Sequence, residues 1–390
     1  MFTKGRHFNW VLFGAMVSLI ALGTLAIWSA GNARTETLFH GAWKSNLMTA
    51  VLGMGLYFAL AFLDYRRVIR VAAPCFYGAV IVLLILVLVA GSTVYGGRRW
   101  LWFFQPSEIA KLGVIGLVAA IWGEAPSRVS TFNRFGFPGF LLAAAVVGVP
   151  LLLILLEPDL GTALTLLPAL VVMLLTAGVW RKWLVASLGV MLVVSMAILG
   201  AVYEAEKPGV SAERRAAILA HIPLRPHQVK RVKTFLFPES DRMGAGYNLR
   251  QAMIAIGSGG FAGKGLGQGE TNHLRYLPPS ISMNDFIFCV WAEETGFRGA
   301  AALLLLFGTL VVSGGWIAWH ATDGRGQLLA IGVSTLIFAH VYVNIAMSVG
   351  LVPITGLPLP FISSGRTFLI TVMAGLGLVQ SVSVHREELT

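Results

Sequence analysis

Charged side chains are scarce in this sequence. Asp, Glu, Lys and Arg together make up 12% of its 390 residues, whereas soluble domains carry about 25%. Hydrophobic residues make up 56%, and apolar runs of about 17–25 residues recur along almost the whole chain. This composition excludes a soluble globular domain and predicts an all-α polytopic membrane protein.

Cysteine is nearly absent. The two cysteines, Cys75 and Cys289, both fall in apolar segments. Neither has a second cysteine or a histidine at metal-ligand spacing, so we predict that both pack in the core rather than bind a metal.

A phosphate-binding P-loop is also absent, although residues 257–265 are rich in glycine. Ser258 stands where the motif requires its first glycine, and Gly265 stands where Ser or Thr would bind magnesium. We therefore predict a tight backbone turn that packs against the membrane face.

The apolar runs predict about ten transmembrane helices in a single membrane domain, residues 1–390. One large extracytoplasmic loop, residues 203–285, separates the seventh helix from the eighth. The first apolar run is too long for a cleavable signal peptide, and the eighth is long enough to suggest strong tilt or projection from the bilayer. The predicted spans are 10–30, 46–63, 71–91, 107–123, 138–156, 160–178, 183–203, 286–318, 327–349 and 366–384.

The distribution of basic residues predicts that both termini are cytoplasmic. Long translocated loops count little in this rule, so the large loop stays outside, and the net charge of +11 points to anionic lipid rather than nucleic acid. With this orientation the inside segments hold Lys4, Arg6, Arg66, Arg67, Arg70, Arg128, Arg134, Arg181, Lys182, Arg325 and Arg386. The short outside segments hold only Arg34, Lys44, Arg98, Arg99 and Arg366.

Glu108 and Lys111 are a first pair of candidate functional residues. Pro106 suits the first turn of a helix, so a helix starts here and places the two charges on one face at i and i+3. Two interpretations stay open: a self-neutralising structural pair, or a pair that lines a polar cavity and orients a ligand.

Arg98 and Arg99 precede Trp100 at the predicted outer surface. Guanidinium groups bind phosphate well, so they could contact either a lipid headgroup or a substrate pyrophosphate.

Glu157 and Asp159 lie in a short turn between two spans. They could bind a divalent cation, Mg²⁺ or Mn²⁺, although capping of the following helix is the better interpretation for Asp159.

Asp285 is an acid where the polar loop meets an apolar helix. It could cap that helix, as could Asn284 beside it. In a partly dry cavity its pKa would rise and it could act as a general base. Glu293 and Glu294 follow on the same helix, where we predict structural polar contacts.

Several motifs together resemble the SEDS family (shape, elongation, division and sporulation), and the resemblance covers nearly the whole chain. Segments 254–260 and 353–360 look more like the elongation branch than the division branch. The motifs are Gly97-Arg98-Arg99-Trp100, Gln105-Pro106-Ser107-Glu108-Ile109-Ala110-Lys111, Glu157-Pro158-Asp159-Leu160-Gly161-Thr162-Ala163, Gly246-Tyr247-Asn248-Leu249, Asp285-Phe286-Ile287-Phe288, Ala292-Glu293-Glu294 and the run 353–363.

The resemblance implies an inverting glycosyltransferase of the bacterial cytoplasmic membrane, which polymerises lipid II at the outer face for cell elongation. Asp285 would deprotonate the acceptor hydroxyl, and Lys111 with the arginines would stabilise the departing pyrophosphate. The implied partners are a class B penicillin-binding protein transpeptidase and other membrane proteins of the elongation complex. The alternatives are a lipid II flippase, a non-catalytic scaffold, or the division paralogue.

Two segments depart from the family pattern. The family usually reads Leu-Pro-Glu-x-His-Thr-Asp before the apolar helix, whereas here residues 277–284 lead to Asp285 without the Glu and His. Near the C-terminus, residues 363–367 replace a usual Ser-Tyr-Gly-Gly-Ser. Arg366 thereby places a cation where the family has a small residue, and it is a candidate phosphate ligand.

Overall fold

The structure is a computed structural model. It describes residues 7–32, 40–94, 97–102, 104–123, 136–157, 159–178, 181–207, 209–222, 224, 226–241 and 243–386. The basic residues Lys4, Arg6, Arg34, Arg128 and Arg134, which entered the orientation argument, lie outside these ranges.

Each of the ten predicted spans corresponds to a helix in the described part of the chain. They are α1 (Trp10–Asn32), α2 (Ala42–Phe62), α3 (Tyr65–Ala90), α4 (Pro106–Trp122), α5 (Gly136–Leu156), α6 (Leu160–Thr176) and α7 (Arg181–Ala205), followed after the large loop by α11 (Ile287–Trp319), α12 (Gly324–Ser348) and α13 (Arg366–Val384). The prediction of an all-α polytopic membrane protein is confirmed.

Eight of the described helices are long and apolar enough to cross a membrane. The other two helices that correspond to predicted spans, α4 and α6, have 17 residues each. At 1.5 Å per residue these reach about 26 Å, slightly less than the ~30 Å of a hydrocarbon core.

The long eighth helix, α11, is broken rather than simply tilted. Gly296 has a φ of 68° inside it, a left-handed conformation that interrupts the helix. A Cβ at this position would lie 2.3 Å from the backbone N of Gly263. The break separates a short first segment from residues 297–319, which reach about 34 Å and suffice to span the bilayer.

The large loop has secondary structure of its own: α8 (Ala212–Ala220), α9 (Pro226–Leu236) and α10 (Ala245–Ser258). The glycine-rich run after α10 docks on the first segment of α11, as predicted. Lys264 N donates to Glu293 O at 3.0 Å and Lys264 Nζ to Glu293 Oε1 at 2.8 Å, while Ser29 Oγ donates to Glu294 Oε2 at 2.5 Å. Glu293 and Glu294 thus make the predicted structural contacts.

An irregular segment, residues 353–365, enters the bundle between α12 and α13. Gly23 of α1 packs against it so closely that a Cβ would lie 2.0 Å from Phe361 O. Gly23 is nine residues, or about 13 Å, before the end of α1. Non-helical backbone at this depth is tolerated because protein encloses it, and the segment forms one wall of the site.

A short β-hairpin completes the fold. β1 (Ser92–Val94) pairs antiparallel with β2 (Gly97–Trp100) before α4.

Cys289 is buried as predicted, but the prediction for Cys75 is wrong because that thiol is exposed on α3. A small apolar side chain is as acceptable facing lipid as facing protein, so hydropathy could not distinguish the two surroundings.

Candidate active site

Asp285 lies in a turn held by backbone contacts and does not cap α11. The helix begins at Ile287 without a side-chain cap. The prediction that Asp285 or Asn284 caps α11 is therefore wrong. Asn344 Nδ2 of α12 donates to Asp285 O at 2.9 Å and to Leu357 O at 2.7 Å. Asn344 therefore fixes the Asp285 backbone to the 353–365 segment.

A left-handed glycine faces the Asp285 carboxylate. Gly356 has a φ of 73°, and a Cβ there would lie 3.5 Å from Asp285 Oδ2. Any other residue would be strained in this conformation. The carboxylate is not required by the turn, which leaves it available for chemistry.

Burial raises the pKa of Asp285 to about 6, while the nearby cations Arg231 and Arg99 act in the opposite direction. Desolvation disfavours the charged carboxylate, and the guanidinium groups favour it. An acid with this pKa is mostly ionised at neutral pH and can still accept a proton from a substrate. These are the properties of a general base.

Two arginines from distant parts of the chain meet beside Asp285. Arg231 of α9 donates from Nη1 to Thr355 O at 3.1 Å, which anchors the loop helix to the 353–365 segment. Burial lowers the pKa of Arg231, and the charge of Arg99 on β2 lowers it further. Two partly buried like charges repel each other, so this pair favours an anionic ligand.

The other predicted arginines are placed differently. Arg98 is exposed, and its Nη1 donates to Leu88 O at 3.4 Å. Arg366 is exposed at the start of α13. The cations that shift the pKa of Asp285 are Arg231 and Arg99, so the structure joins Arg99 to the site and leaves Arg98 and Arg366 at the surface.

Glu108 and Lys111 form the predicted ion pair inside the bundle. Lys111 Nζ lies 2.7 Å from Glu108 Oε2 and 2.8 Å from His340 Nε2, and the Lys111 side chain is 1% exposed. An ammonium group only donates, so His340 Nε2 accepts and its proton is on Nδ1. The three groups connect α4 to α12, and Lys111 also lies over the Phe368 ring of α13 at 5.0 Å.

Asp159 caps α6, as predicted. Its Oδ1 accepts from Thr162 N at 3.2 Å, and its Oδ2 accepts from Gln105 Nε2 at 2.8 Å, Ser107 Oγ at 3.2 Å and Thr162 Oγ1 at 2.8 Å. The carboxylate thereby links the starts of α4 and α6. Both of its oxygens are already used.

Glu157 is fully buried, and among the described residues neither of its carboxyl oxygens has a hydrogen-bond partner. Burial and, to a smaller extent, the charge of Asp159 raise its pKa to about 8, with Arg99 acting in the opposite direction. The group is therefore mostly protonated at neutral pH.

These two acids do not fit a resident divalent cation. Such ions take about six or more oxygen ligands, whereas both oxygens of Asp159 already accept hydrogen bonds from Gln105, Ser107 and Thr162. The described residues contain no group of three or more His, Cys, Asp or Glu side chains placed to hold a metal ion.

The two segments that depart from the family pattern contact each other. Ser363 Oγ donates to Asn284 O at 2.6 Å, and Ser364 Oγ donates to Asn284 Oδ1 at 2.7 Å. Asn284 directly precedes Asp285, so the residues around the start of α13 support the turn that carries the acid.

Three residues of the site were not predicted. His340 and Asn344 lie one turn apart in the apolar helix α12, and polar residues at such positions are themselves a signal of function. Arg231 gave no comparable signal because it is one of many basic residues in the loop.

We expect Glu157→Gln to stabilise the protein at alkaline pH. With a pKa near 8 when folded and near 4.5 when unfolded, the folded state binds more protons between these values, so its stability falls as pH rises through this window. The uncharged amide avoids this loss. The free energy of unfolding of the variant should therefore exceed that of the wild type by ~2–4 kcal/mol at about pH 8.5 and by less at about pH 5.5. Unfolding of the purified chain at both pH values measures the difference.

Glycan polymerisation by the Glu157→Gln variant tests the hypothesis that Glu157 binds a divalent cation. If Glu157 is only a buried neutral acid, activity and its response to added Mg²⁺ should match the wild type. An activity that now requires much more Mg²⁺ would contradict our assignment and make Glu157 a metal ligand.

Comparisons with known proteins agree with the fold. The family described as "Cell cycle protein" (FtsW, RodA and SpoVE) matches residues 9–388. The chain therefore belongs to this family of polytopic membrane proteins, which the sequence motifs indicated.

Individual relatives match over nearly their full lengths. The peptidoglycan glycosyltransferase MrdB of Escherichia coli is 34% identical, with 98% of this chain and 95% of the relative covered. A probable peptidoglycan glycosyltransferase FtsW of Trichlorobacter lovleyi is 32% identical, with 97% and 93% covered. Stage V sporulation protein E of Bacillus subtilis is 30% identical, with 98% and 99% covered.

Solved structures share the same architecture. One chain of a peptidoglycan synthase complex that coordinates polymerization and crosslinking superposes with a TM-score of 0.74 at 28% identity, covering 98% of this chain and 99% of that one. The rod shape determining protein RodA of Thermus thermophilus gives a TM-score of 0.65 at 28% identity, with 98% of both chains covered. An aspartate-to-alanine variant of that RodA has also been solved.

Proposed function

We propose that this protein is a peptidoglycan glycosyltransferase that joins lipid II units into β-1,4 glycan strands for cell elongation. The observation that carries the proposal is a single carboxylate, Asp285, with a pKa near 6 and two arginines beside it. A glycosyl transfer from a diphosphate needs a base for the acceptor and cations for the leaving group. The site provides both.

In the proposed reaction, Asp285 takes the proton of the acceptor sugar's 4-hydroxyl as its oxygen attacks the anomeric carbon of the donor. The bond from that carbon to the pyrophosphate breaks, and the electron pair leaves with undecaprenyl pyrophosphate, inverting the anomeric centre. Arg99 and Arg231 are placed to stabilise the added negative charge. Arg366 and Arg98, at the surface, are proposed to meet the substrate on its approach.

The protein is an integral membrane protein, and we propose that it lies in the bacterial cytoplasmic membrane with both termini inside. Asp285, Arg99 and the large loop then share the outer face. A class B penicillin-binding protein is the proposed partner, since a related chain forms part of a complex that both polymerises and crosslinks. Other membrane proteins of the elongation complex are also proposed partners.

The test uses the purified full chain, a class B transpeptidase and lipid II labelled on its sugar. We expect glycan strands longer than a tetrasaccharide, together with released undecaprenyl pyrophosphate. A protein that produces no strands with any such partner, while it moves labelled lipid II across liposomes, would instead be the flippase. The deep ion pair of Glu108 and Lys111 is the observation that keeps this alternative open.

We expect Arg231→Gln to move the acid limb of the pH–rate profile upward. Arg231 lowers the pKa of Asp285, so its removal should raise that pKa. The base must be ionised, and polymerisation should therefore fall as the pH drops through about 6 in the wild type and already at a higher pH in the variant.

Arg214→Gln is the matched control because Arg214 is an exposed basic residue of the same loop. Titration of the substrate's own phosphates affects both variants equally, so only a difference between them reports on Asp285. Identical acid limbs in the two variants would remove Arg231 from the electrostatics of the base.

A further inference from the structure

A cavity lies at the end of the bundle opposite Asp285. It has a volume of about 200 Å³ and is lined by residues from the start of α1 and the ends of α11 and α13, including His7, Asn9, Trp316, His320, Ser383 and Arg386. Asp285 precedes the other end of α11. The cavity and the active site are therefore separated by about the thickness of the bilayer.

Asn9 and Arg386 supply the donors that this cavity offers to a ligand. Asn9 Oδ1 accepts from Leu12 N at 2.9 Å, which leaves its amide nitrogen as the donor, and Arg386 contributes an exposed guanidinium. His320 Nδ1 lies 2.9 Å from Trp316 O and donates to that carbonyl, so this N–H is already used and His320 forms part of the wall. No carboxylate is among the described residues that line the cavity, and such a lining suits an anion.

Aromatic side chains place the cavity at the membrane–water boundary. Trp10, Trp316 and Trp319 are 70%, 61% and 80% exposed at the same ends of α1 and α11, and exposed tryptophans concentrate at the headgroup level. The His320 and Trp316 rings lie 4.1 Å apart, forming part of the wall.

An apolar surface leads from the cavity toward the middle of the bilayer. Leu305, Val312 and Trp316 are spaced by seven and four residues, which puts them on one face of α11, and each is more than half exposed. An acyl chain could lie along this face. The cavity itself is smaller than the about 300–1,000 Å³ of pockets that enclose drug-sized ligands, so it suits a headgroup alone.

We propose that this cavity binds the phosphodiester headgroup of an anionic phospholipid in the leaflet opposite the active site. Arg386 and Asn9 contact the phosphate, and Trp316 and His320 border the glycerol region. A free phosphate ion offers the same chemistry without the acyl chains, so the experiment separates the two sources.

The test is native mass spectrometry of the full chain, released from detergent after titration with phosphatidylglycerol or phosphatidylcholine. We expect a preference for phosphatidylglycerol. The variant Arg386→Gln should lose at least about five-fold in affinity, the effect of one cation near a membrane surface. Arg67→Gln is the matched control and should bind as the wild type does. Arg67 is exposed, and it lies at the same end of the bundle because its neighbour Arg66 donates to Thr322, just after α11.

Three outcomes would overturn the proposal. Equal binding of the two lipids would show no recognition of negative charge. An equal loss in the Arg67 variant would show only general attraction to a basic surface. Displacement of bound phosphatidylglycerol by an equal concentration of inorganic phosphate would assign the cavity to the free ion.

Discussion

Asp285→Asn is expected to abolish glycan polymerisation while the protein stays folded. The amide is nearly isosteric and cannot accept the hydroxyl proton, so the loss should be about 10²- to 10⁴-fold, the usual contribution of a general base. Folding should be unaffected because the contacts that hold this turn use the Asp285 backbone, through Asn344 Nδ2 at 2.9 Å. Strand synthesis from labelled lipid II measures the activity.

Glu239→Gln provides the control for this variant. Glu239 is an acid of the same loop, and it pairs with Arg250 at 2.9 Å where both are partly exposed. Exposed pairs contribute little stability, so this variant should keep wild-type activity. The assignment of the base would be abandoned if the Asp285 variant still made strands at a rate near that of the Glu239 variant.

Asp285 could be found from sequence because its position was chemically unexpected. A carboxylate beside an apolar helix is costly, and that cost is visible without coordinates. The ten helices were predictable for a related reason, since lipid requires long apolar runs. Asp159 was predicted as a cap because capping depends on residues only a few positions away.

Other parts of the site depend on contacts that no local pattern encodes. Arg231 and Asp285 are brought together because a loop helix folds back on the 353–365 segment. The break at Gly296 was missed because a single glycine is tolerated within helices, and the docking of Gly263 decides the conformation. His340 and Asn344 carried a signal that hydropathy averaging over α12 obscured.

Lys111→Met should be strongly destabilising, and this variant tests the second candidate of the site. It leaves the Glu108 carboxylate buried without its cation, a loss that costs about 3–5 kcal/mol. The double variant Glu108→Gln with Lys111→Met removes both charges, so most of that stability should return. Unfolding in detergent and strand synthesis are measured on both variants.

The comparison between stability and activity separates the two interpretations of the pair. Lys111 is 1% exposed and is held by Glu108 and His340, which favours a structural role that fixes α4 against α12. The double variant should then recover activity together with stability. If it folds as well as the wild type and still makes no strands, the Lys111 ammonium acts on the substrate, and the helices around Lys111 must separate during turnover to admit that substrate.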